Sequence, residues 1–517
     1  MSKILWVCKE SFTSISNFTI PRFNDFENEV IFIHPTESLL QDQTYLNFKE
    51  NHKSLKIHTL DNLSKKYASA FMNKTINYDR ERLKEIENKY CDKLTWGELL
   101  MSSQIFTTPY HYRFYFKDLT DSEKNYWVLL LFDYFENLLS ISKPDYIFDF
   151  DNSEIGRTVL WMVAEAMGIP YITIEHTRYK GVLIPNFNLG RWVDDYFIEY
   201  FNNIKEELYL KEVVNFRESE KIINEDYKNN KTTKKKNNSL FFDLKRLYFY
   251  EKTVISKSLR KRKLLGRKFV FPFLATFKES FIFFIQMVFR ERYLLSNRNP
   301  YFKDPVENEN YIYFPLHLIP ESSTLIKAPF YPNEEEVISR IAKSLPLGWK
   351  LYIKEHGAMI GERPLSFYKK VSRLSNVKFI KLDAYNDPKT WILKSKGVIT
   401  ITGTSSFEAA MLGKSSVVLG SVPFKMIKGV NSCADLNNLS EIIRNKFEES
   451  NLDNILSCEN YIQTIYKYGE PVQFTLMHNS CYKALNFNEK ITEEVEREIL
   501  KTVNVFRKGI NILEGKF

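Results

Sequence analysis

The sequence predicts an α/β protein with two parallel-sheet domains separated by a basic insertion. Short strands rich in β-branched and aromatic residues alternate with helical segments over the first 195 residues and again after residue 305. Between these two arrays the alternation stops and positive charge accumulates. A chain of 517 residues with 44% hydrophobic and 26% charged residues is large enough for two or three globular domains.

The first array starts with three short strands and ends with a strand–helix–strand unit. The predicted strands are residues 3–8, 29–34, 55–60, 145–151 and 171–176. A helix is predicted between the last two, with Ser153 as its N-cap and with Gly168 and Pro170 ending it. Open α/β sheets bind ligands at the carboxyl ends of their strands, so polar residues at those ends are candidate site residues.

The second array contains five continuous apolar strands, which are typical of a parallel sheet buried on both faces. The predicted strands are residues 311–317, 349–356, 377–383, 397–402 and 415–420. The last hundred residues are predicted to be mainly helical. The expected domains are therefore 1–195 and 305–430, with an insertion at 196–304 and a C-terminal helical region at 431–517.

The insertion carries most of the positive charge of the protein. Residues 231–268 contain 14 Lys or Arg and two Asp or Glu, a balance of +12, so the net charge of +9 leaves −3 for the rest. Basic and aromatic residues together could bind an anionic membrane surface or grip nucleic acid, or the segment could be a solvated insertion packed on the core. We favour the membrane surface for residues 231–289 and expect no nucleic acid partner.

The remaining composition indicates a cytoplasmic protein. Five scattered cysteines show neither metal-ligand spacing nor a disulfide framework, which fits a reducing compartment. No 18-residue stretch is free of charge, and the N-terminus has no signal-peptide pattern. We therefore expect a cytoplasmic protein at the inner face of the cytoplasmic membrane.

The stretch "GTSSFEA" follows a predicted core strand and opens a helix. Unpaired N–H groups and the positive end of the helix dipole make such a position a site for phosphate. The candidate donor-binding residues here are Gly403, Thr404, Ser405, Ser406 and Glu408. The alternative is a capping box formed by Ser405 and Glu408, which requires no ligand and is compatible with binding.

Two further strand ends in the second array carry histidine beside charged residues. "KEHG" supplies Lys354 and His356, and "HLIPES" supplies His317 and Glu321. An imidazole with an ordinary pKa of roughly 6.5 can donate to a phosphate or protonate a leaving group. The alternative for each is a surface cluster at a strand end, but three neighbouring strand ends with such residues favour a site.

The order of these motifs over residues 311–425 resembles bacterial proteins of capsule and surface-polysaccharide biosynthesis. That family includes Kdo transferases of capsule assembly, which are similar in arrangement to bacterial GT-B sialyltransferases. The resemblance implies a GT-B-like fold, in which two Rossmann-like domains face a cleft. It also implies a glycosyltransferase that moves an acidic sugar, Kdo-like or sialic-acid-like, from a CMP donor to a glycan or lipid-linked acceptor.

The resemblance also assigns roles to individual residues. It implies that His356 contacts the donor phosphate or assists departure of CMP, and that Ser405 and Ser406 hold the same phosphate. It implies a ribose contact for Asp383 and matches Glu321 to an acidic donor-side motif. Gly357 follows His356 where the family has proline, which is a departure at that turn.

The acceptor side is expected at the strand ends of the first array. The candidates are Asp151, Glu154, Arg157, Glu175 and His176. Asp151 is the predicted catalytic acid of this side, beside His356 and Glu321 of the other. It would be a base if transfer inverts or a nucleophile if it retains; the alternative is an acid stabilised by the helix dipole.

The sequence predicts no metal and no cofactor besides the nucleotide-sugar donor. Asp149 and Asp151 alternate onto one face, so a divalent site is open but not favoured. Other functions also stay open: a transferase using a UDP- or GDP-linked sugar, a sugar-nucleotide epimerase of the same architecture, or a non-catalytic membrane-tethered scaffold of polysaccharide assembly.

Overall fold

The computed structural model describes the chain except residues 34–42, 74, 104–119, 220–242, 253–254, 256–272, 297, 320, 382–386 and 448–451. The described strands are β1 Lys3–Cys8, β2 Glu27–Phe32, β3 Lys56–Thr59, β4 Tyr146–Asp149, β5 Tyr171–His176, β6 Val182–Asn186, β7 Phe302–Lys303, β8 Tyr311–Pro315, β9 Lys350–Lys354, β10 Val377–Ile380, β11 Gly397–Thr400, β12 Ser416–Val418, β13 Val430–Ser432 and β14 Glu470–Pro471.

The helices surround these strands, and an additional helical segment covers residues 243–252. The helices are α1 Thr13–Thr19, α2 Gln43–Asn51, α3 Asp61–Met72, α4 Arg80–Tyr90, α5 Trp96–Met101, α6 Asp121–Ser142, α7 Ile155–Ala166, α8 Asp195–Asn203, α9 Leu210–Glu218, α10 Phe273–Leu294, α11 Ser322–Leu325, α12 Glu334–Ser344, α13 Leu365–Val371, α14 Pro388–Lys394, α15 Thr404–Met411, α16 Leu439–Lys446, α17 Ile455–Tyr468, α18 Phe474–Phe487 and α19 Glu493–Leu513.

The first sheet has the strand order β3-β2-β1-β4-β5, followed by β6 and β14 at one edge. The first five strands are parallel, and β4, α7 and β5 form the predicted strand–helix–strand unit. β6 runs antiparallel to β5, and β14 runs antiparallel to β6. These two edge strands extend the sheet beyond the prediction.

The second sheet has the order β13-β12-β11-β8-β9-β10-β7, and all its described pairs are parallel. Counted from β8, the order is 3-2-1-4-5-6, which is that of a doubly wound Rossmann-like sheet. The first sheet follows the same 3-2-1-4-5 pattern from β1. The predicted α/β fold with two Rossmann-like bodies is therefore confirmed.

Burial on both sheet faces explains why the strands are continuous apolar runs. In β1, Leu5 and Val7 contribute to one hydrophobic cluster, whereas Ile4 and Trp6 contribute to the cluster on the opposite face. The strands of the second sheet are divided in the same way between two clusters. A parallel sheet covered on both faces requires this pattern.

The C-terminal helices return to the first sheet. α19 packs against it closely at Gly509, where an added Cβ would lie 2.9 Å from the Ile172 side chain. The hydroxyl of Tyr461 in α17 donates to the Thr177 carbonyl at 2.6 Å. The last hundred residues are mainly helical, as expected, while the domain boundaries stay predictions.

The described part of the insertion is a pair of contacting helical segments, residues 243–252 and α10. Arg246 bonds Glu291 at 3.1 Å, and Tyr250 lies against Phe284 with ring centroids 5.4 Å apart. α10 contacts the second body at Gly361, whose φ is +87° and whose added Cβ would lie 2.6 Å from the Met287 carbonyl. Within the described ranges, no helix has the length and apolar character needed to cross a bilayer.

Candidate functional site

The candidate donor site lies where the strand order of the second sheet reverses. β8 and β11 are neighbours at this point, and doubly wound folds bind ligands beyond the carboxyl ends of such strands. The loops that follow the two strands touch: the Thr402 N–H donates to His317 Nε2 at 3.2 Å. The "GTSS" and "PLH" motifs, which lie 85 residues apart, therefore meet at one point.

Helix α15 begins at Thr404, and its N-cap is Gly403 without a side-chain capping bond. The predicted capping box of Ser405 and Glu408 is therefore wrong, because the helix starts earlier than that box requires. An added Cβ at Gly403 would lie 2.9 Å from Thr400 Oγ1 and 3.4 Å from His317 Nε2, so this close approach favours glycine. The first helical N–H groups remain suited to an anion.

The side chains of the "GTSSFE" motif are not equivalent. Thr404 and Ser405 are half-buried. Ser406 is fully buried and its hydroxyl bonds the Ser416 hydroxyl at 2.6 Å, so it packs into the core. Thr404, rather than Ser406, therefore offers its hydroxyl at the start of α15, while the Ser405 side chain bonds Glu408.

Glu408 and Lys354 form a polar cluster beside this helix. Burial and the nearby Asp387 raise the pKa of Glu408 to about 8, although the hydrogen bond with Ser405 and the charge of Lys354 act to lower it. Its Oε2 is buried and has no hydrogen bond partner in the part of the chain that the structure describes. Burial lowers the pKa of Lys354, whose Nζ lies 5.7 Å from the Trp391 ring centroid. Glu408 is thus largely protonated at neutral pH and can donate a hydrogen bond.

His356 follows β9 and is half-buried. Its Nδ1 accepts a hydrogen bond from the Ala358 N–H at 3.3 Å, so the proton of the neutral ring is on Nε2. Burial, together with Arg363 and His317, lowers the pKa of His356 to about 4. At neutral pH the ring is a hydrogen bond donor through Nε2, and protonation of a leaving group, one of the two expected roles, is disfavoured.

The other candidates of the second body have local structural contacts. His317 uses Nε2 to hold the Thr402 backbone, which makes it a clamp between two loops. Glu321 accepts a hydrogen bond from the Ser323 hydroxyl at 3.0 Å, and the Ser323 carbonyl in turn accepts from Thr402 Oγ1 at 2.8 Å. Asp383 lies outside the described residues.

The first sheet reverses its strand order between β1 and β4, and Asp151 lies just beyond β4. Arg157 is fully buried and bonds Asp149 at 2.6 Å and Asp151 at 3.0 Å. Arg157 and Lys9 hold the pKa of Asp151 below its ordinary value, although burial alone would raise it. For Asp149, burial prevails and raises the pKa to about 6. Asp151 is therefore an ionised carboxylate and a weak base.

The N-cap of α7 is Glu154 rather than the predicted Ser153. The Ser153 hydroxyl donates to Asp151, which removes it from the capping position. Glu154 is buried, has φ +83°, and accepts a hydrogen bond from Ser103 at 2.7 Å. Such a backbone is rare outside glycine and is typical of functional or strained sites.

An ion pair joins the strand ends of the two sheets. Lys327, which follows α11, bonds Glu175 of β5 at 2.5 Å, and both side chains are less than a tenth exposed. Gly190 lies directly against this ion pair. A Cβ added at Gly190 would lie within 3.0 Å of the Glu175, Lys327 and Asn152 side chains. Desolvation, together with the charges of Arg178 and Lys327, lowers the pKa of His176. Water partly screens this effect because the side chain is exposed.

Sequence reasoning missed several residues of the site. Lys327 and Arg363 lie in loops without a recognisable pattern, and their partners are distant in sequence. The sequence pattern predicts Thr402 only as the end of a strand, although its backbone bridges two loops. In the described residues, no cluster of three or more His, Cys, Asp or Glu side chains suited to a metal is found.

Comparisons with known proteins give only distant similarities. No family model matches the sequence, and no curated protein matches it. The KpsC β-Kdo 2,7 transferase of Thermosulfurimonas dismutans is 12% identical, with 72% of this chain and 89% of that chain covered and a TM-score of 0.31. The UDP-GlcNAc 2-epimerase of Neisseria meningitidis is 15% identical, with 90% of this chain and 98% of that chain covered and a TM-score of 0.29.

A glycosyltransferase from Rickettsia africae is 10% identical, with 94% of this chain and 99% of that chain covered and a TM-score of 0.26. At these levels the function of this chain follows from none of the three. The resemblance to capsule-polysaccharide proteins therefore rests on the sequence motifs.

Proposed function

We propose that the chain is a glycosyltransferase of surface-polysaccharide biosynthesis whose nucleotide-sugar donor binds at the switch point of the second sheet. The observation that carries the proposal is the start of α15, which has no side-chain cap and where Thr404 and Ser405 lie, at the same sheet edge as the loop after β9 that carries the neutral His356 ring. The first N–H groups of the helix, the Thr404 hydroxyl and the ring are donors suited to a phosphate. Gly403 lets the backbone before this helix pass close to Thr400 and His317.

In this proposal the second body stabilises the departing nucleotide. Negative charge develops on the phosphate as the bond between sugar and phosphate breaks. Hydrogen bond donors held in fixed positions stabilise this charge more strongly in the transition state than in the bound substrate. His356 contributes a hydrogen bond from Nε2–H without transferring a proton. Glu408, protonated at neutral pH, and Lys354 are proposed to contact the nucleoside part of the donor.

The first body is proposed to face the sugar and the acceptor. Asp151 stays ionised and is held by Arg157, which suits it to stabilise positive charge at the reacting carbon or to attack it, better than to act as a base. The donor is proposed to be CMP-linked with an acidic sugar such as Kdo, and the acceptor to be a glycan or a lipid-linked glycan. These finer assignments rest on the motif resemblance.

The test is thermal stabilisation of the protein by CMP, CDP, UDP and GDP at matched concentrations without metal. A ligand at a hundredfold excess over its Kd stabilises the folded state by roughly 2.7 kcal/mol. We expect CMP to act selectively, with the effect reduced in Thr404→Val and His356→Gln and retained in Ser344→Ala, a change at the C-terminal end of α12. Selective stabilisation by UDP or GDP would contradict a CMP-linked donor and would favour a UDP- or GDP-sugar transferase or an epimerase. If no nucleotide stabilises the protein, the non-catalytic scaffold would be favoured.

The proposed partner of the insertion is the inner face of the cytoplasmic membrane. Tyr248 on segment 243–252 is 61% exposed and Phe289 on α10 is 71% exposed, although both are large and apolar. Exposed aromatic residues next to lysines are typical of surfaces that bind anionic lipid. The exposed Lys245 and Lys252 on the same segment supply that charge.

Sedimentation with vesicles tests this partner. We expect binding to vesicles that contain phosphatidylglycerol, weaker binding to neutral vesicles, and a loss in Tyr248→Ser combined with Phe289→Ser. Leu347→Ser is the matched control, because Leu347 is fully exposed outside the insertion. Equal binding of the double variant and the control would contradict the membrane role.

A further inference from the structure

Arg363 joins the two loops that carry the histidines of the candidate donor site. It lies between the 3-10 helix Gly357–Met359 and α13 and is 1% exposed. Its Nη1 donates to Glu355 Oε1 at 2.5 Å, and its Nη2 donates to the His317 carbonyl at 2.8 Å and to Glu334. One buried guanidinium therefore contacts both strand-end loops.

The two carboxylates extend these contacts to the histidine backbones. Glu334 Oε1 accepts from the His317 N–H at 2.8 Å, and Glu355 Oε1 accepts from the His356 N–H at 2.7 Å. The Tyr368 hydroxyl donates to Glu355 Oε2 at 2.6 Å. A planar fork that bonds two carboxylates and a carbonyl at fixed angles is a property of Arg that Lys lacks.

The network leaves each imidazole with one nitrogen occupied by a backbone donor. His317 Nε2 accepts from Thr402 and His356 Nδ1 accepts from Ala358, so full protonation of either ring would break a hydrogen bond. The neutral rings therefore carry their protons on opposite nitrogens, Nδ1 in His317 and Nε2 in His356. Glu334 faces His317 Nδ1 at 3.8 Å.

The charges around His356 act on its ionisation in both directions. Burial, Arg363 and His317 lower the pKa of His356 to about 4, while Glu334 raises it. Arg363, followed by the His317 side chain and backbone amide, holds the pKa of Glu334 at about 2, although burial alone would raise it. The network is thus ionised at Arg363 and Glu334 while the His356 ring stays neutral over the physiological range.

We propose that Arg363 is a positioning residue of this site, which holds the His317 and His356 loops in one fixed relation and so determines which nitrogen each ring presents. Arg363 does not contact the donor itself. His317 then clamps the start of α15 and His356 presents Nε2–H toward the phosphate. The proposal that Arg363 fixes the orientation of the two rings does not depend on which reaction the protein catalyses. The proposal that His356 then binds a donor phosphate rests on the proposed function.

The test is nuclear magnetic resonance of the ring nitrogens in histidine-labelled full-length protein. The chain has eight histidines, and His317→Gln and His356→Gln assign the two signals. We expect the Nδ1–H form for neutral His317 and the Nε2–H form for His356 in the wild type, with His356 neutral from about pH 5 to 8. In Arg363→Lys we expect mixed tautomers at His356 and titration closer to pH 6.5, whereas Arg373→Lys, an exposed control, should leave both unchanged.

A second readout separates this proposal from the proposed function. CMP affinity should weaken about tenfold in Arg363→Lys, the effect of losing one well-placed hydrogen bond. If the wild type binds CMP and Arg363→Lys alters the tautomers, both proposals are supported. If Arg363→Lys alters the tautomers but the wild type binds no nucleotide, only the positioning role is supported. Unchanged tautomers and titration in folded Arg363→Lys overturn the positioning role. If this variant does not fold, Tyr368→Phe decides in the same way through Glu355.

Discussion

The ion pair between Lys327 and Glu175 gives the sharpest energetic prediction, because it links the two bodies at their strand ends. Both side chains are more than nine-tenths buried, and the atoms lie 2.5 Å apart. Replacing Lys327 by Met leaves the Glu175 carboxylate buried without its cation. Breaking such a pair costs roughly 3–5 kcal/mol of unfolding free energy. Since a buried carboxylate without a partner takes up a proton more readily, the cost should decrease as the pH falls.

Urea unfolding followed by tryptophan fluorescence measures this cost in a double-mutant cycle with Glu175→Gln. The double variant should be more stable than Lys327→Met, because it removes the stranded charge. Lys370→Met, which breaks an exposed pair with Glu335, is the control and should cost about 1 kcal/mol or less. A cost below about 1 kcal/mol for Lys327→Met, or simple additivity of the two single changes, would refute a coupled buried pair.

Three other substitutions follow from groups with perturbed ionisation or backbone. Glu408→Gln should stabilise the protein as pH rises from about 4.5 toward 8, because the folded pKa of about 8 makes the wild type lose stability over that range, and pH-dependent denaturation checks this. His356→Gln should flatten the loss of stability on acidification from about pH 6.5 to 4, which is on the order of 3 kcal/mol for a folded pKa of about 4; an unchanged slope would exclude the buried neutral ring. Gly361→Ala should destabilise more than Gly348→Ala, because both have positive φ but only Gly361 approaches Met287; equal losses of melting temperature would show that contact to be unimportant.

The fold was predictable from the sequence because its strands are local signals. The alternation of apolar strands and helices indicates a parallel sheet, and each of the ten predicted strands is present with small shifts at the ends. The edge strands β6 and β14 gave no such signal, since β14 has two residues and pairs across nearly 300 positions of sequence. Short strands of this kind depend on tertiary pairing rather than on local pattern.

The site was predictable as a set of strand ends but not as a network. The motifs predict that Thr404, Ser405 and His356 follow strands, and they lie after β11 and β9 at the edge that loops after parallel strands share. They did not reveal that the Ser406 hydroxyl packs into the core or that His317 bonds a backbone amide, because burial and ring orientation depend on distant residues. Arg363 and Lys327 were missed for the same reason.

A crystal structure of the full chain with CMP tests the central claim most directly. We expect the phosphate within hydrogen-bonding distance of the first N–H groups of α15 and of His356 Nε2, with the nucleoside toward Lys354 and Glu408. The open side of the phosphate should face Asp151 across the cleft. A nucleotide bound away from the start of α15, or one that contacts only the first sheet, would contradict the account.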